Sequence, residues 1–262
     1  MPGTLETLWA VLAALYLATL AVTLAAFGRR RVSGAAVLPR VSVIVPIKGA
    51  NPFLAANIEA LLRLEPFAGE VLLAVAAADD AAIPVLAPLV ARHPERLKLL
   101  VGEAPEFANP KLRNLAKAWR AAAEDTILFL DDNVAVDAAL YRELLGALGA
   151  AAAAATAAPV GRDAEGLAAE IEAATCNGYL FRIERLLELF GAAAAFGNAL
   201  ALSKRRLEAA GGLARLDEGP CEDNALSKAL RAGGGRVTLV AVPVARRIGR
   251  RSWRDIALRH LR

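Results

Sequence analysis

The sequence predicts an α/β domain with a mixed, mostly parallel sheet, preceded by one N-terminal transmembrane helix. Three observations lead there. A charge-free run near the start, Leu8 to Phe27, is long enough to cross a bilayer as a helix. From Val41 onward, short β-branched runs alternate with apolar segments at helical spacing, the pattern of strands joined by crossover helices. One such run, "TILFLDDNVAVD" from Thr126, ends in adjacent carboxylates, and in open α/β sheets ligands bind beyond the carboxyl ends of the strands. The 262 residues suffice for one sizeable domain plus an appendage.

The first run, "LWAVLAALYLATLAVTLAAF", places Trp9 and Tyr16 as interfacial anchors and accounts for much of the mean hydropathy of +0.42. A cleaved signal peptide is the competing reading. Against it, the basic residues follow the run instead of preceding it, the run is long, and Phe27-Gly28-Arg29 is a poor cleavage site. Arg29, Arg30 and Arg31 place the following chain on the cytoplasmic side by the positive-inside tendency.

After a short linker, "RVSVIVPIKGANP" reads as a strand and "FLAANIEALLRLEP" as a helix stopped before Pro66. "EVLLAVAAADD", "IPVLAPLVARHP" and "RLKLLVGE" follow as strand, helix and strand, and "NPKLRNLAKAWRAAAED" as a helix with Leu112, Leu115, Ala118 and Trp119 on its apolar side. It leads into the strand Thr126 to Leu130. The alanine run "GALGAAAAAATAAPVG" is open between a helix, which alanine favours, and a short buried strand. "GLAAEIEAATCNGYLFRIERLLELF" is helical with a break expected at Asn177-Gly178, and "AFGNALALSKRRLEAAGGL" gives a tight turn, a strand and a short helix stopped by Gly211-Gly212. "GPCEDNALSKALRAGGG" is a helix with Gly233 as its stop, and "RVTLVAVPVA" a strand. "RSWRDIALRHLR" closes the chain as a helix opened by Ser252 with Asp255 three residues on, a capping-box pattern.

Charge is concentrated at the end. The segment from Ala245 carries seven arginines against Asp255, a net +6, so the rest of the chain sums to −2 of the overall +4. A solvated helix face accounts for it; anionic headgroups or a phosphorylated substrate are further partners for it. Nucleic acid is not expected, because interleaved aromatics are nearly absent. Cys176 and Cys221 are the only cysteines and lack metal-ligand spacing, so no disulfide framework or zinc site is expected.

Three acidic positions stand at element boundaries where side chains converge: Asp80, Asp131 with Asn133, and Asp223. Each also suits a turn or a helix first turn. Together they have a coherent chemistry. Mg²⁺ takes one or two carboxylates plus substrate phosphates, and Asp131 and Asn133 offer two oxygens on one side of a turn. A metal there neutralises charge on a diphosphate leaving group, while Asp223 takes a proton from an attacking hydroxyl.

The segments "VSVIVPIKG", "EVLLAVAAADD", "NPKLRNL", "ILFLDDN", "AGGL", "CEDNALSKAL" and "RHLR" occur in the order and spacing of the ceramide glucosyltransferase family, and the chain resembles its bacterial members from Val41 to Arg262. The resemblance implies a GT-A fold and an inverting transfer of a hexose, glucose first, from a UDP-sugar to a lipid hydroxyl, ceramide favoured. It implies a divalent cation, Mg²⁺ or Mn²⁺, held by Asp131 and Asn133. Asp80 is expected near the uridine, Asp131 near the diphosphate, and Asp223 as general base. Arg259 and Arg262 match the basic positions of the family's final motif and are expected on the diphosphate, with Lys48, Lys111 and Asn114 as further donor-binding candidates.

Two departures accompany the match. Asn133 stands where relatives often have aspartate or glycine, and the chain stops at Arg262, where a tryptophan and further hydrophobic segments are expected, so it reads as truncated. The implied organisation is an anchor with basic flank over 1–31, a linker over 32–40, a catalytic domain over 41–245 and a basic amphipathic helix over 246–262. The expected setting is a bacterial inner membrane with the domain cytoplasmic. A hopanoid or diacylglycerol acceptor, or a degenerate membrane-anchored scaffold, are the alternatives.

Overall fold

The computed structural model describes residues 3–27, 37–65, 67, 69–149, 152–219 and 221–260. The Arg29 to Arg31 cluster and Arg262 lie outside the described residues, and the side chain of Arg259 does too.

Helix α1 (Thr4–Phe27) runs 24 residues, about 36 Å at 1.5 Å per residue. It is long and apolar enough to cross a membrane, and Leu5, Trp9, Leu12, Tyr16 and Leu24 are exposed along it. The chain then alternates: β1 (Val41–Ile47), α2 (Leu54–Leu62), β2 (Gly69–Val75), α3 (Ile83–Arg92), β3 (Leu97–Val101), α4 (Pro110–Ala121) and β4 (Thr126–Leu130). Beyond it come β5 (Val134–Ala135), α5 (Ala138–Ala147), β6 (Ala152–Thr156), β7 (Pro159–Glu165), α6 (Leu167–Thr175), a π-helical turn (Cys176–Leu180) and α7 (Phe181–Leu189). The last part is β8 (Ala199–Ser203), α8 (Lys204–Ala209), α9 (Gly212–Leu216), α10 (Glu222–Ala232), β9 (Arg236–Leu239), β10 (Val244–Arg250) and α11 (Trp253–His260).

The main sheet has the order β3-β2-β1-β4-β8-β6-β9. Strands β1 to β4 are parallel, β8 runs antiparallel to both β4 and β6, and β9 is parallel to β6. Apolar clusters cover both faces, one with α2, α3 and α5, the other with α4, α9 and α10. A smaller sheet, β5-β10-β7, lies beside it. The mixed, mostly parallel sheet matches the expectation.

The alanine run resolves as strand. All of β6 is buried, and a Cβ on Gly235 would come within 2.4 Å of the Ala153 Cβ. Small side chains are what lets the neighbouring backbone approach, and this tertiary demand overrides alanine's helix propensity. Pro159 opens the next strand, β7, where proline is tolerated as first strand residue. Asn177-Gly178 does not break the long helix. The chain widens there into the π turn, and the Asn177 side chain accepts from Gly161 N at 2.7 Å and donates to Gly161 O at 3.2 Å.

The expected helix over 246–262 is corrected at its start. Residues through Arg250 form β10, paired with β7 and β5, and two of its arginines have partners in the domain. Arg246 meets buried Glu172 at 3.2 Å, and Arg247 meets Asp163 at 2.6 Å while covering the Phe53 ring. Helix begins at Trp253, and the capping box forms as expected: Asp255 N donates to Ser252 Oγ (3.2 Å), and Ser252 N to Asp255 Oδ2 (2.8 Å).

Candidate active site

The site begins where β4 ends. Asp131 follows the last strand residue and lies opposite Asn198, because β4 and β8 pair with Leu130 against Ala199. Asp131 N donates to Asn198 O at 3.2 Å, and Asn198 Nδ2 donates to Asp131 Oδ2 at 2.9 Å. The antiparallel partner thus fixes the carboxylate at the sheet tip.

Helix α4 supplies the cation. Its cap is Asn109, whose side chain accepts from Lys111 N at 2.8 Å, with Pro110 suited to the first helical position. Asn109 Nδ2 also donates to Glu222 at 3.2 Å, and Asp217 accepts from Ala108 N and Asn109 N. These bonds tie the start of α4 to the start of α10. Lys111 Nζ then lies 3.1 Å from Glu222 and 3.4 Å from Asp131. Burial works against its charge, but Asp131, Asp223 and Glu222 outweigh burial and hold the amine above the usual lysine range.

Asp223 sits in the first turn of α10 and accepts from Gly197 N at 2.8 Å. A Cβ on Gly197 would stand 2.7 Å from Lys111 Nζ and 2.9 Å from Asp223 Oδ1, so glycine is what lets lysine, carboxylate and backbone share this space. Burial raises the Asp223 carboxyl above the ordinary aspartate value, with Lys111 and the Gly197 N–H opposing. Glu222 is driven the other way. Burial works to raise it, but Lys111 and its hydrogen bonds prevail and keep it low. Asp132 is pushed up to about 6, chiefly by burial. A small cleft of about 30 Å³ borders Lys111, Gly197, Glu222 and Asp223 and runs in between Leu115 and Leu213.

The remaining candidates divide. Asp80 stands on the same rim beyond β2, where its carboxylate accepts from Gly49 N (3.0 Å) and Ala82 N (2.8 Å). Lys48 follows β1 and is exposed. Asn133 is half-buried, and its carbonyl accepts from Arg247 N at 2.8 Å. Asn114 does not present its amide to the cleft. It is buried, and Nδ2 donates to Ile47 O (3.1 Å) and Ala74 O (3.0 Å), clasping the ends of β1 and β2. Arg259 belongs to α11. The sequence reading passed over Asn198, Gly197 and Glu222 as contributors. The "FGN" turn and the carboxylate next to Asp223 were visible, but their contacts depend on strand register and helix docking.

The family model described as Glycosyl transferase family 21 matches residues 6–262. The chain belongs to glycosyl transferase family 21. Its similarity to curated family relatives runs in the same direction: it is 28% identical to ceramide glucosyltransferase 1 of Caenorhabditis elegans over 215 residues, 79% of this chain and 45% of that protein. It is 34% identical to ceramide glucosyltransferase 3 of the same organism over 98 residues, 37% of this chain and 21% of that protein. This family 21 chain therefore spans less than half the length of these relatives. Among solved structures, it resembles the mannosyltransferase PcManGT from Pyrobaculum calidifontis, solved with GDP-Man and Mn²⁺, with a TM-score of 0.67 at 19% identity over 96% of this chain and 70% of the other. GalNAc-T7, solved with UDP, GalNAc and Mn²⁺, gives a TM-score of 0.60 at 14% identity over 84% and 46%. The fold of the family 21 chain is GT-A, as the sequence resemblance implied.

Proposed function

We propose that this chain is an inverting hexosyltransferase that moves glucose from UDP-glucose to the hydroxyl of a membrane lipid, with ceramide as the first choice of acceptor, at the cytoplasmic face of the membrane. The observation that carries the reading is the half-buried Asp223 carboxyl, held by Gly197 N at 2.8 Å and bordered by Lys111 in one cleft. An acceptor hydroxyl hydrogen-bonded to Asp223 gives up its proton there and attacks the anomeric carbon from the side opposite the diphosphate. The bond to the leaving oxygen breaks as the new glycosidic bond forms, and the configuration inverts.

Lys111 supplies positive charge toward the leaving diphosphate, and Asp80 and Lys48 on the rim suit the nucleoside side of the donor. Arg259 and Arg262 complete the donor site in this reading. Among the described residues no cluster of three or more His, Cys, Asp or Glu forms a ready cation cage. A single carboxylate at Asp131, assisted by the Asn133 amide oxygen, still fits Mg²⁺ or Mn²⁺, because substrate phosphates supply the remaining oxygens. Such a cation would neutralise charge on the diphosphate. Helix α1 holds the domain at the surface where a lipid acceptor resides.

The test is calorimetric titration of the detergent-solubilised chain with UDP, with and without Mn²⁺ or Mg²⁺. Cation-dependent binding is expected, weakened at least tenfold by Asp131→Ala. UDP binding that neither the cation nor the substitution changes would remove Asp131 from the donor site, and folded protein that binds no UDP would sink the reading. Hopanoid or diacylglycerol glucosides accumulating with the purified enzyme, in place of glucosylceramide, would reassign the acceptor.

A further inference from the structure

Helix α7 is built inside out. Its buried side chains are Arg182, Glu184 and Arg185, whereas Ile183, Leu189 and the Phe190 that ends it are exposed, Phe190 by 83%. A helix on a water-facing surface does the reverse, turning its apolar stripe inward and its charges out. The inward arginines have partners in the protein: Arg182 donates to Tyr16 O of α1 at 2.6 Å and to the Thr19 hydroxyl, and Arg185 donates to Ala241 O at 2.7 Å. Glu184 lies between them and is 2% exposed. Charges turned to the protein interior and held by backbone carbonyls are the arrangement of a helix whose other side meets lipid.

The outward stripe is longer than α7. Leu167 and Ile171 of α6, Tyr179 of the π turn, and Ile183 and Phe190 follow one another at close to whole helical turns, and all are exposed. Between this stripe and α1, against which α7 packs, runs an open groove of about 530 Å³, walled by Tyr16 and Thr19 on one side and by Ile171, Tyr179, Ile183 and Leu186 on the other. Its polar side chains are turned to the protein: Thr19 donates to Tyr16 O at 2.9 Å, Thr175 to Ile171 O at 3.0 Å, and the Arg182 guanidinium lies 4.0 Å from the Tyr16 ring centroid. The groove therefore presents hydrocarbon and aromatic rings. One of its walls is the helix long enough to span a bilayer, and Leu12 and Tyr16 of that helix are exposed to the same surroundings.

We propose that the α6–α7 arm lies in the membrane beside α1, with its outward stripe against lipid and the groove filled by an acyl chain of a bilayer lipid. The inference rests on α1 being in the membrane, which is part of the reading above, and is independent of the sugar and of the acceptor. Apolar residues exposed on one side of a helix gain by entering the acyl boundary of a bilayer, and the arm can do so at no charge-burial cost because its arginines already face the domain. It is an accessory contact and not an anchor: without α1 the groove loses a wall, and Arg182 loses Tyr16 and Thr19.

The test uses the full chain with the exposed Cys221 replaced by serine, Cys176 being buried, and one nitroxide label at a time. Gly178→Cys reports the groove, where a Cβ meets nothing within 4 Å. Ile183→Cys and Phe190→Cys report the outward stripe, Leu12→Cys reports α1, and Glu95→Cys, exposed in the loop before β3, is the aqueous reference. In phospholipid nanodiscs, the ratio of collisions with oxygen to collisions with a polar nickel chelate is expected to be about tenfold or more higher at positions 12, 178, 183 and 190 than at 95, because polar solutes are excluded from hydrocarbon. Ratios at 183 and 190 equal to that at 95, with 12 still high, would overturn the inference and leave the anchor standing. A ratio at 178 alone as low as at 95 would overturn the lipid in the groove. Spin–spin broadening between two copies at 183 or 190 would give this face to a second copy of the chain instead. A low ratio at 12 would take α1 out of the membrane, removing the anchored reading and this inference with it.

Discussion

Lys111 is the residue on which the cleft's electrostatics turn, since it faces Asp131, Glu222 and Asp223 at once. In the proposed mechanism Asp223 is the base and must be ionised to work; its carboxyl is raised above the ordinary aspartate value, so turnover is expected to climb with pH through that raised pKa. Lys111 acts to lower it; Lys111→Met should therefore move the acid limb of the kcat/KM profile to higher pH, and an unmoved limb would separate the two residues. Asp223→Asn should cut kcat by about 10² to 10⁴ while leaving UDP affinity near native. Glu184 adds a stability signature. Its folded pKa of about 9 lies above the 4.5 of an ordinary glutamate, so the folded state holds a proton that the unfolded state releases, and stability is lost as pH rises between those values. Glu184→Gln removes that loss, and should raise the thermal midpoint at pH 7 by the equivalent of roughly 3 kcal/mol, with almost no effect at pH 4. Asp131 and Asp223 were legible as candidates because carboxylates at element ends stand out in a sequence, and Lys111 through the family resemblance of its segment. Glu184 was not, since a glutamate inside a charged helix looks like solvent-facing decoration until its burial is known.

At the scale of elements, the strands and helices from β1 to β4 were readable from periodicity and punctuation, because each apolar run there is bounded by proline, glycine or acidic residues. Legibility failed where neighbours decide. The alanine strand β6 exists because its close-packed partners tolerate nothing larger, and β10 is a strand because β5 and β7 flank it. Asn114 shows the same dependence. In the sequence it is a helix-side amide near the site, whereas in the fold it joins two strand ends from a third element. Asn114→Leu leaves Ile47 O and Ala74 O without that donor in a buried setting, at a cost of about 1–3 kcal/mol. A fall in thermal midpoint of several degrees is expected, and a midpoint equal to native would show that the strand ends hold themselves.

For the whole molecule, the relation between α1 and the domain is what matters. Arg182 reaches across from α7 to Tyr16 O at 2.6 Å and to the Thr19 hydroxyl, with its guanidinium 4.0 Å from the Tyr16 ring centroid. The apolar helix is thus docked and not merely tethered. In the membrane-anchored reading, the chain should stay in the pellet through an alkaline carbonate wash, and a variant starting at residue 37 should be released; retention of that variant would assign membrane attachment to the α6–α7 arm. The position of β8 also governs how the polypeptide is made. Strand β4 is complete at Leu130, but its free edge is covered only by β8, which begins at Ala199. At a ribosome speed of about 5–20 residues per second, that edge waits roughly 4–14 s in an unfinished chain, a hydrophobic template open to any passing strand. Nascent chains, rather than the folded protein, are where chaperone demand and aggregation losses should concentrate.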